Sequence, residues 1–190
     1  DILRIALAAH NMTMDVMQAM DMDAPSIVTA MMSGGVDACA TWSPNSLTIL
    51  EGMEGTTKLA DNMTFSDTTV SLASWIATPK YLEENRDVTV RFVRALMKAM
   101  DYAADGNYEE VAQWCATQAA LDYDTMYNQR GDADWLTGKE VVDGVADGTV
   151  KGYYELQQKN LLDGGSITEE DVCPVEDYVD FDLMTEAGNY

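Results

Sequence analysis

Apolar positions along this chain follow two rhythms. Up to about residue 78, short apolar and β-branched runs alternate with stretches of helical spacing; beyond residue 80 helical spacing takes over. Residues 1–13 predict a helix and 16–20 a strand. Pro25 and Ser26 open a second helix carrying Ile27, Val28, Ala30 and Met31. A strand is predicted at 36–41, a helix at 44–52 whose proline suits a first turn, and strands at 58–60 and 70–78. Strand and helix patterns in alternation favour an α/β fold with a parallel or mixed sheet.

The second half reads as helices. Val88, Phe92, Val93, Leu96, Met97, Met100 and Ala103 form one apolar stripe. Asn107 with Glu110 three residues on has the capping-box pattern, followed by a stripe of Tyr108, Val111, Ala112, Cys115, Ala116 and Ala119. Thr137 and Glu140 repeat that pattern ahead of Val141, Val142 and Val145, a further helix is predicted at 150–162 up to Gly164 and Gly165, and another near 178–187. These stripes are core-facing scaffold.

The stretch 33–44 is the most telling. Gly34 and Gly35 suit the left-handed closure of a helix, 36–41 supplies small and β-branched residues for a covered strand, and Trp42 and Pro44 end it. In an open α/β sheet, ligands bind beyond the carboxyl ends of strands. Trp42 is therefore either a ligand platform or the cap of a core.

Charge narrows the partners. With 33 acidic residues against 11 basic ones, the net charge of −22 repels phosphate backbones and anionic lipid, which disfavours nucleic acid and membrane surfaces. Cys39, Cys115 and Cys173 are too widely spaced for a zinc or redox motif. Cys39 and Cys115 are expected to pack as small hydrophobes, and Cys173, beside Pro174, to be exposed. His10 is the only histidine, placed on a predicted helix and read as structural.

Signals for catalysis are weak. Residues 131–139 have the wrong glycine–lysine spacing for a phosphate loop, and no dinucleotide fingerprint is present. Asp122, Asp124 and Asn128 imitate part of a calcium loop, but Met126 and Tyr127 occupy its ligand and glycine positions. Arg130-Gly131-Asp132 reads as an exposed turn, and Asn11 and Asn62 stand in glycosylation-type triplets. No metal or other cofactor is expected.

Several motifs, taken in order, carry a family resemblance. Met22-Asp23-Ala24-Pro25, Ile27-Val28, Gly35-Val36-Asp37-Ala38, Trp42-Ser43-Pro44, Leu59-Ala60-Asp61, and the run from Ala77-Thr78-Pro79 to Asn85 resemble solute-binding proteins of ABC importers. The type is the nitrate/sulfonate/taurine/thiamine-precursor (NMT1-like) branch, and the chain resembles its carboxyl-terminal portion. The resemblance implies a periplasmic-binding-protein-like (type II) α/β lobe with a mixed sheet, followed by a helix-rich return segment. In that frame 1–69 form part of the second lobe, 70–79 a return crossing and hinge strand, and 80–190 a helical part packing on the first lobe.

The implied function is non-enzymatic: an extracytoplasmic protein captures a small molecule of unknown class between lobes and delivers it to an ABC permease in the membrane. Asp23, Trp42, Ser43, Asp67 and Trp75 are the expected ligand-binding residues. Asp23 or Asp67 would meet a cationic or hydrogen-bonding group, and Trp42 a ring or apolar carbon. Core packing is the alternative role for Trp75. Two other readings stand beside this one: an enzyme of the same fold in pyrimidine synthesis, and an acidic sensor or interaction module that docks a basic partner.

Overall fold

A computed structural model describes residues 2–190. The described residues form α-helices joined by turns and irregular segments: α1 (Ile2–Ala9), α2 (Ala24–Met32), α3 (Asn45–Gly52), α4 (Pro79–Tyr102), α5 (Tyr108–Ala119), α6 (Tyr123–Asn128), α7 (Gly138–Asp147), α8 (Thr149–Asp163) and α9 (Phe181–Gly188). They fall into two compact units, one of residues 66–111 with 135–190, the other of 2–65 with 112–134.

The first unit is built on α4. Thr78 caps it by accepting from the Tyr81 N–H at 3.2 Å, and Pro79 fills a first-turn position where no N–H is needed. Its buried face meets α9 and α7: Val90, Met97, Leu183 and Ala187 form the core, flanked by Leu82, Val93, Val141, Val142 and Met184. Each large side chain buried there contributes roughly 1.5–3 kcal/mol relative to exposure. Close approach depends on glycine. A Cβ on Gly138 would lie 2.7 Å from the Met97 Cβ and 2.8 Å from its carbonyl oxygen, and one on Gly188 would lie 2.2 Å from a Val142 methyl.

Polar groups lock the same helices. Arg94 donates to the carbonyls of Glu186 at 2.9 Å and Ala187 at 3.1 Å, satisfying oxygens at the end of α9. Arg86 pairs with Asp180 at 3.0 Å and with Glu186 at 3.3 Å. The predicted capping box of α7 forms, with Thr137 and Glu140 each accepting from the other's backbone N–H. Gly148, at φ 88°, ends α7 in the left-handed conformation and lets α8 start at once.

In the second unit α2 packs against α3, and the buried apolar side chains are Leu7, Ile49, Ala112 and Ala116. Two of these four are alanines, whereas the first unit also buries Val150, Val175 and Val179 beyond its core cluster.

The fold class expected from the sequence is overturned. No strand occurs among the described residues, so this is not an α/β type II lobe with a mixed sheet. Residues 36–41, 58–60 and 70–78 are irregular, and 16–20 holds only the last residue of a 3-10 turn. The physical reason is partnership. A strand's hydrogen bonds lie in a second strand, and strand propensity reports fitness for a half-buried pleated surface. Here the side chains face solvent: Leu59 is 84% and Ile76 95% exposed. Cys39 and Cys115, expected to pack, are also exposed, as is Cys173. Trp75 is 72% exposed, so it is not a core residue.

Candidate functional site: the Trp42–Ser43 turn

Residues 33–46 shape the candidate site. Gly34, at φ 72°, turns the chain out of α2, and the Gly35 N–H donates to the Ala30 carbonyl at 2.8 Å. The chain then runs irregularly to Trp42, whose carbonyl accepts from the Ser46 N–H at 3.2 Å as α3 begins. This turn leaves the Trp42 side chain 65% exposed.

The residue after Trp42 belongs to a hydroxyl–carboxylate pair. The Ser43 hydroxyl donates to Asp132 at 2.5 Å and lies 3.2 Å from the Ser46 hydroxyl. Asp132 is delivered by the 3-10 turn Gln129–Gly131, its own N–H donating to the Gln129 carbonyl at 3.0 Å. The turn is anchored by Arg130, whose guanidinium sits 3.9 Å over the Tyr127 ring and donates to the Tyr127 carbonyl. Tyr127 in turn stacks on Tyr123 with centroids 5.5 Å apart.

A base joins the electrostatics. The Lys58 ammonium donates to Asp61 at 2.6 Å, which raises its pKa, and Asp132 adds a smaller attraction in the same direction. Lys58, with Thr64 next, holds Asp61 down at about 2. The Thr41 hydroxyl and the Gln129 amide nitrogen are buried without partners, and they precede Ser43 and Asp132 by two and three residues. Indole face, hydroxyls and carboxylate together can cover apolar or ring atoms while accepting hydrogen bonds from a donor or cationic group.

The structure distributes the five sequence-predicted residues unevenly. Asp23 is the N-cap of α2, accepting from the Ser26 N–H at 2.9 Å; hydrogen bonds from Ser26, its hydroxyl first, lower its pKa. Trp42 and Ser43 stand together, as described. Asp67 is exposed within the turns at 62–68, and Trp75 meets Phe92 edge-on at 5.2 Å. The last two belong to the unit of residues 66–111 and 135–190. Asp132 and Ser46 were missed. No local pattern links positions 43 and 132; the adhesion-like tripeptide marked the turn at Asp132 but not its partner.

The first unit holds a depression of about 190 Å³ lined by Glu155, Gln158, Lys159, Leu162 and Val172. It includes none of the predicted residues. Among the described residues no group of three or more His, Cys, Asp or Glu side chains is placed to hold a metal ion, and no helix is long and apolar enough to cross a membrane.

Comparison with known proteins supplies the lineage. Residues 1–110 match the NMT1/THI5-like family model. Proteins of Brucella abortus, Brucella suis and Brucella melitensis, provisionally named binding proteins, are 28% identical over 152 residues, covering 80% of this chain and 47% of theirs. The chain thus spans about half the length of the curated relatives it matches. No solved structure matches significantly. With the match extending over more than half of its residues, the chain belongs to the NMT1/THI5-like family.

Proposed function

We propose that this chain serves as the solute-binding component of an ABC importer, acting outside the cytoplasm, capturing a small molecule without chemically changing it and delivering it to a membrane permease. Family membership over residues 1–110 and the naming of the Brucella relatives as binding proteins support this reading. The observation that carries it is the exposed Trp42 indole, followed directly in the chain by the Ser43–Asp132 pair.

In this mechanism the indole covers a ring or apolar carbon of the solute, and Asp132, oriented by Ser43, accepts from its donor or cationic end. Thr41 and Gln129 supply further hydrogen-bonding capacity that is unspent within the protein. Asp67 and Trp75 are proposed as ligand-contacting residues of their own unit. Asp23 has the weaker claim of the five, since its carboxylate already serves α2.

The test is a thermal-shift screen against sulfonates, nitrate, bicarbonate, pyrimidines, amines and amino acids, followed by calorimetric titration of Trp42→Ala and Asp132→Asn. A solute binding only the folded state stabilises it by about 2.7 kcal/mol at a hundredfold excess over Kd. The expected result is a dose-dependent rise with one class. Each variant should then bind about tenfold more weakly or worse, at least the ~1.4 kcal/mol that a tenfold change represents. Undiminished affinity in Trp42→Ala would remove the indole from the site.

A further inference from the structure

The connection between α1 and α2 has a composition found nowhere else in the chain. Met12, Met14, Met17, Met20 and Met22 put five methionines into eleven residues, whereas the other 179 residues hold eight. Methionine is an apolar side chain that fills cores, so such a run would ordinarily be buried. Here Met12 and Met14 are each 41% exposed, Met17 38% and Met20 61%. Packing therefore does not account for the run.

Both ends of the connection are anchored. At one end the chain turns out of α1 at Asn11, with φ 57°, and the Met12 N–H donates to the Leu7 carbonyl at 2.9 Å. At the other, Asp23 caps α2. Between them Met14–Val16 forms a 3-10 turn, closed by the Met17 N–H donating to the Met14 carbonyl. Positions three apart eclipse in such a turn, which sets Met14 and Met17 on one edge. Among the described residues, no backbone–backbone hydrogen bond involves 18–22. Met20 follows Met17 by three residues, and three residues of chain span at most about 10–11 Å. Two unbranched side chains with an ion between them close that gap.

The repeated donor atom decides the class of ion. A thioether sulfur is soft and uncharged, and it selects Cu(I) over the hard cations that oxygen holds. Oxygen donors here are engaged or dispersed. Asp15 accepts from the Thr13 hydroxyl at 3.2 Å and Asp23 from the Ser26 N–H at 2.9 Å. Among the described residues no three His, Cys, Asp or Glu side chains are grouped for a metal. Residues 10–23 contain three aspartates and no lysine or arginine, so the local field favours a cation. We propose that residues 12–22 bind a soft monovalent cation, Cu(I), with the thioethers of Met14, Met17 and Met20 as ligands. The segment folds around the ion. This metal-binding activity is separate from the Trp42–Ser43 turn, and failure of the solute screen leaves it standing.

The exposed thiols of Cys39, Cys115 and Cys173 also take Cu(I), so they are first capped with iodoacetamide. The capped full chain is then titrated with Cu(I) under ascorbate, in competition with a chromophoric Cu(I) chelator. Stoichiometric binding is expected. Met14→Leu/Met17→Leu/Met20→Leu keeps the apolar bulk and removes only the sulfurs, so its helical circular dichroism should be unchanged. Its affinity should fall at least about a hundredfold, since loss of even an outer-sphere partner costs ~10–100-fold. Met32→Leu/Met63→Leu, at exposed methionines elsewhere, should change affinity less than about twofold. Ag(I), a redox-inert stand-in, should shift the methyl NMR signals of Met14, Met17 and Met20 and leave those of Met97 and Met184 in place. Absence of binding by the capped chain overturns the proposal. So does undiminished affinity in the triple variant, or equal loss in the two variants, since either would take the ion away from these sulfurs. Should the triple variant lose its helical signal, Met17→Leu alone replaces it, with an expected loss of about tenfold or more.

Discussion

The helical assembly of α4, α7 and α9 and the irregular segments at 33–44 and 53–78 are both rich in apolar residues, yet they end in opposite states. In the first, Met97 and Leu183 are 3% and 5% exposed; in the second, Leu59, Trp75 and Ile76 are 84%, 72% and 95% exposed. A helix satisfies its backbone within its own segment and needs a neighbour only for one stripe. A strand-type segment needs a neighbour for its hydrogen bonds as well as its faces. Apolar content therefore predicts burial only where the backbone is already provided for.

The largest effect that would sharpen this contrast is core truncation. Met97→Ala and Leu183→Ala should each lower stability by about 2–5 kcal/mol in denaturant titrations. Ile76→Ser, at an apolar residue with almost no cover, should stay within about 0.5 kcal/mol. A cost for Ile76→Ser comparable to that of Met97→Ala would erase the distinction between the two regions. Next in size is Gly138→Ala. Its new methyl group meets the Met97 carbonyl oxygen at 2.8 Å, and backbone cannot swing aside as a side-chain end can. The expected loss is about 1–3 kcal/mol, with the midpoint shifted and the denaturant slope unchanged. A stabilising Gly138→Ala, the usual helix-propensity result, would show that α7 does not pack against α4 that closely.

What was legible in the sequence follows the same division. The Thr137–Glu140 box, the helix stop near Gly164, and the helices at 45–52 and 108–119 are local signals, and each appears within a few residues of its predicted place. The stripe on α4 was read correctly at Val93, Leu96, Met97 and Met100 but not at its start. Val90 is buried, whereas Val88 and Phe92 are 44% and 48% exposed, because the neighbours α7 and α9 decide which face is covered. Asn107 failed as an N-cap: it lies in a π-helical segment, its side-chain amide donates to the Tyr102 carbonyl, and Glu110 accepts from the Tyr102 hydroxyl instead. In the candidate site, Trp42 and Ser43 announced themselves through a local motif. Asp132 did not, because the contact that matters spans 89 positions. The strands failed as a class, for want of partners that no local pattern describes.

The smallest expected effect probes the irregular region on its own terms. Around Asp61, local polar bonds stand in for a ladder. Its carboxylate accepts from Lys58 at 2.6 Å, from the Met63 and Thr64 N–H groups at 3.1 and 2.9 Å, and from the Thr64 hydroxyl at 2.8 Å. These donors favour the ionised form and depress its pKa to about 2, below an unfolded value near 3.8. A depressed folded pKa means that the stabilisation is fully present above about pH 5, declines as pH falls through the unfolded value, and is gone below the folded one. Asp61→Asn should therefore melt below the wild type at pH 7 by a small margin, since the group is partly solvated, and that margin should shrink between about pH 5 and pH 2. Met97→Ala removes no titrating group, so it should keep its deficit relative to the wild type across the same range. A deficit in Asp61→Asn that persists undiminished at pH 2 would mean that the asparagine disrupts the turn sterically. The irregular region would then be held by shape, as the helical core is, rather than by charge.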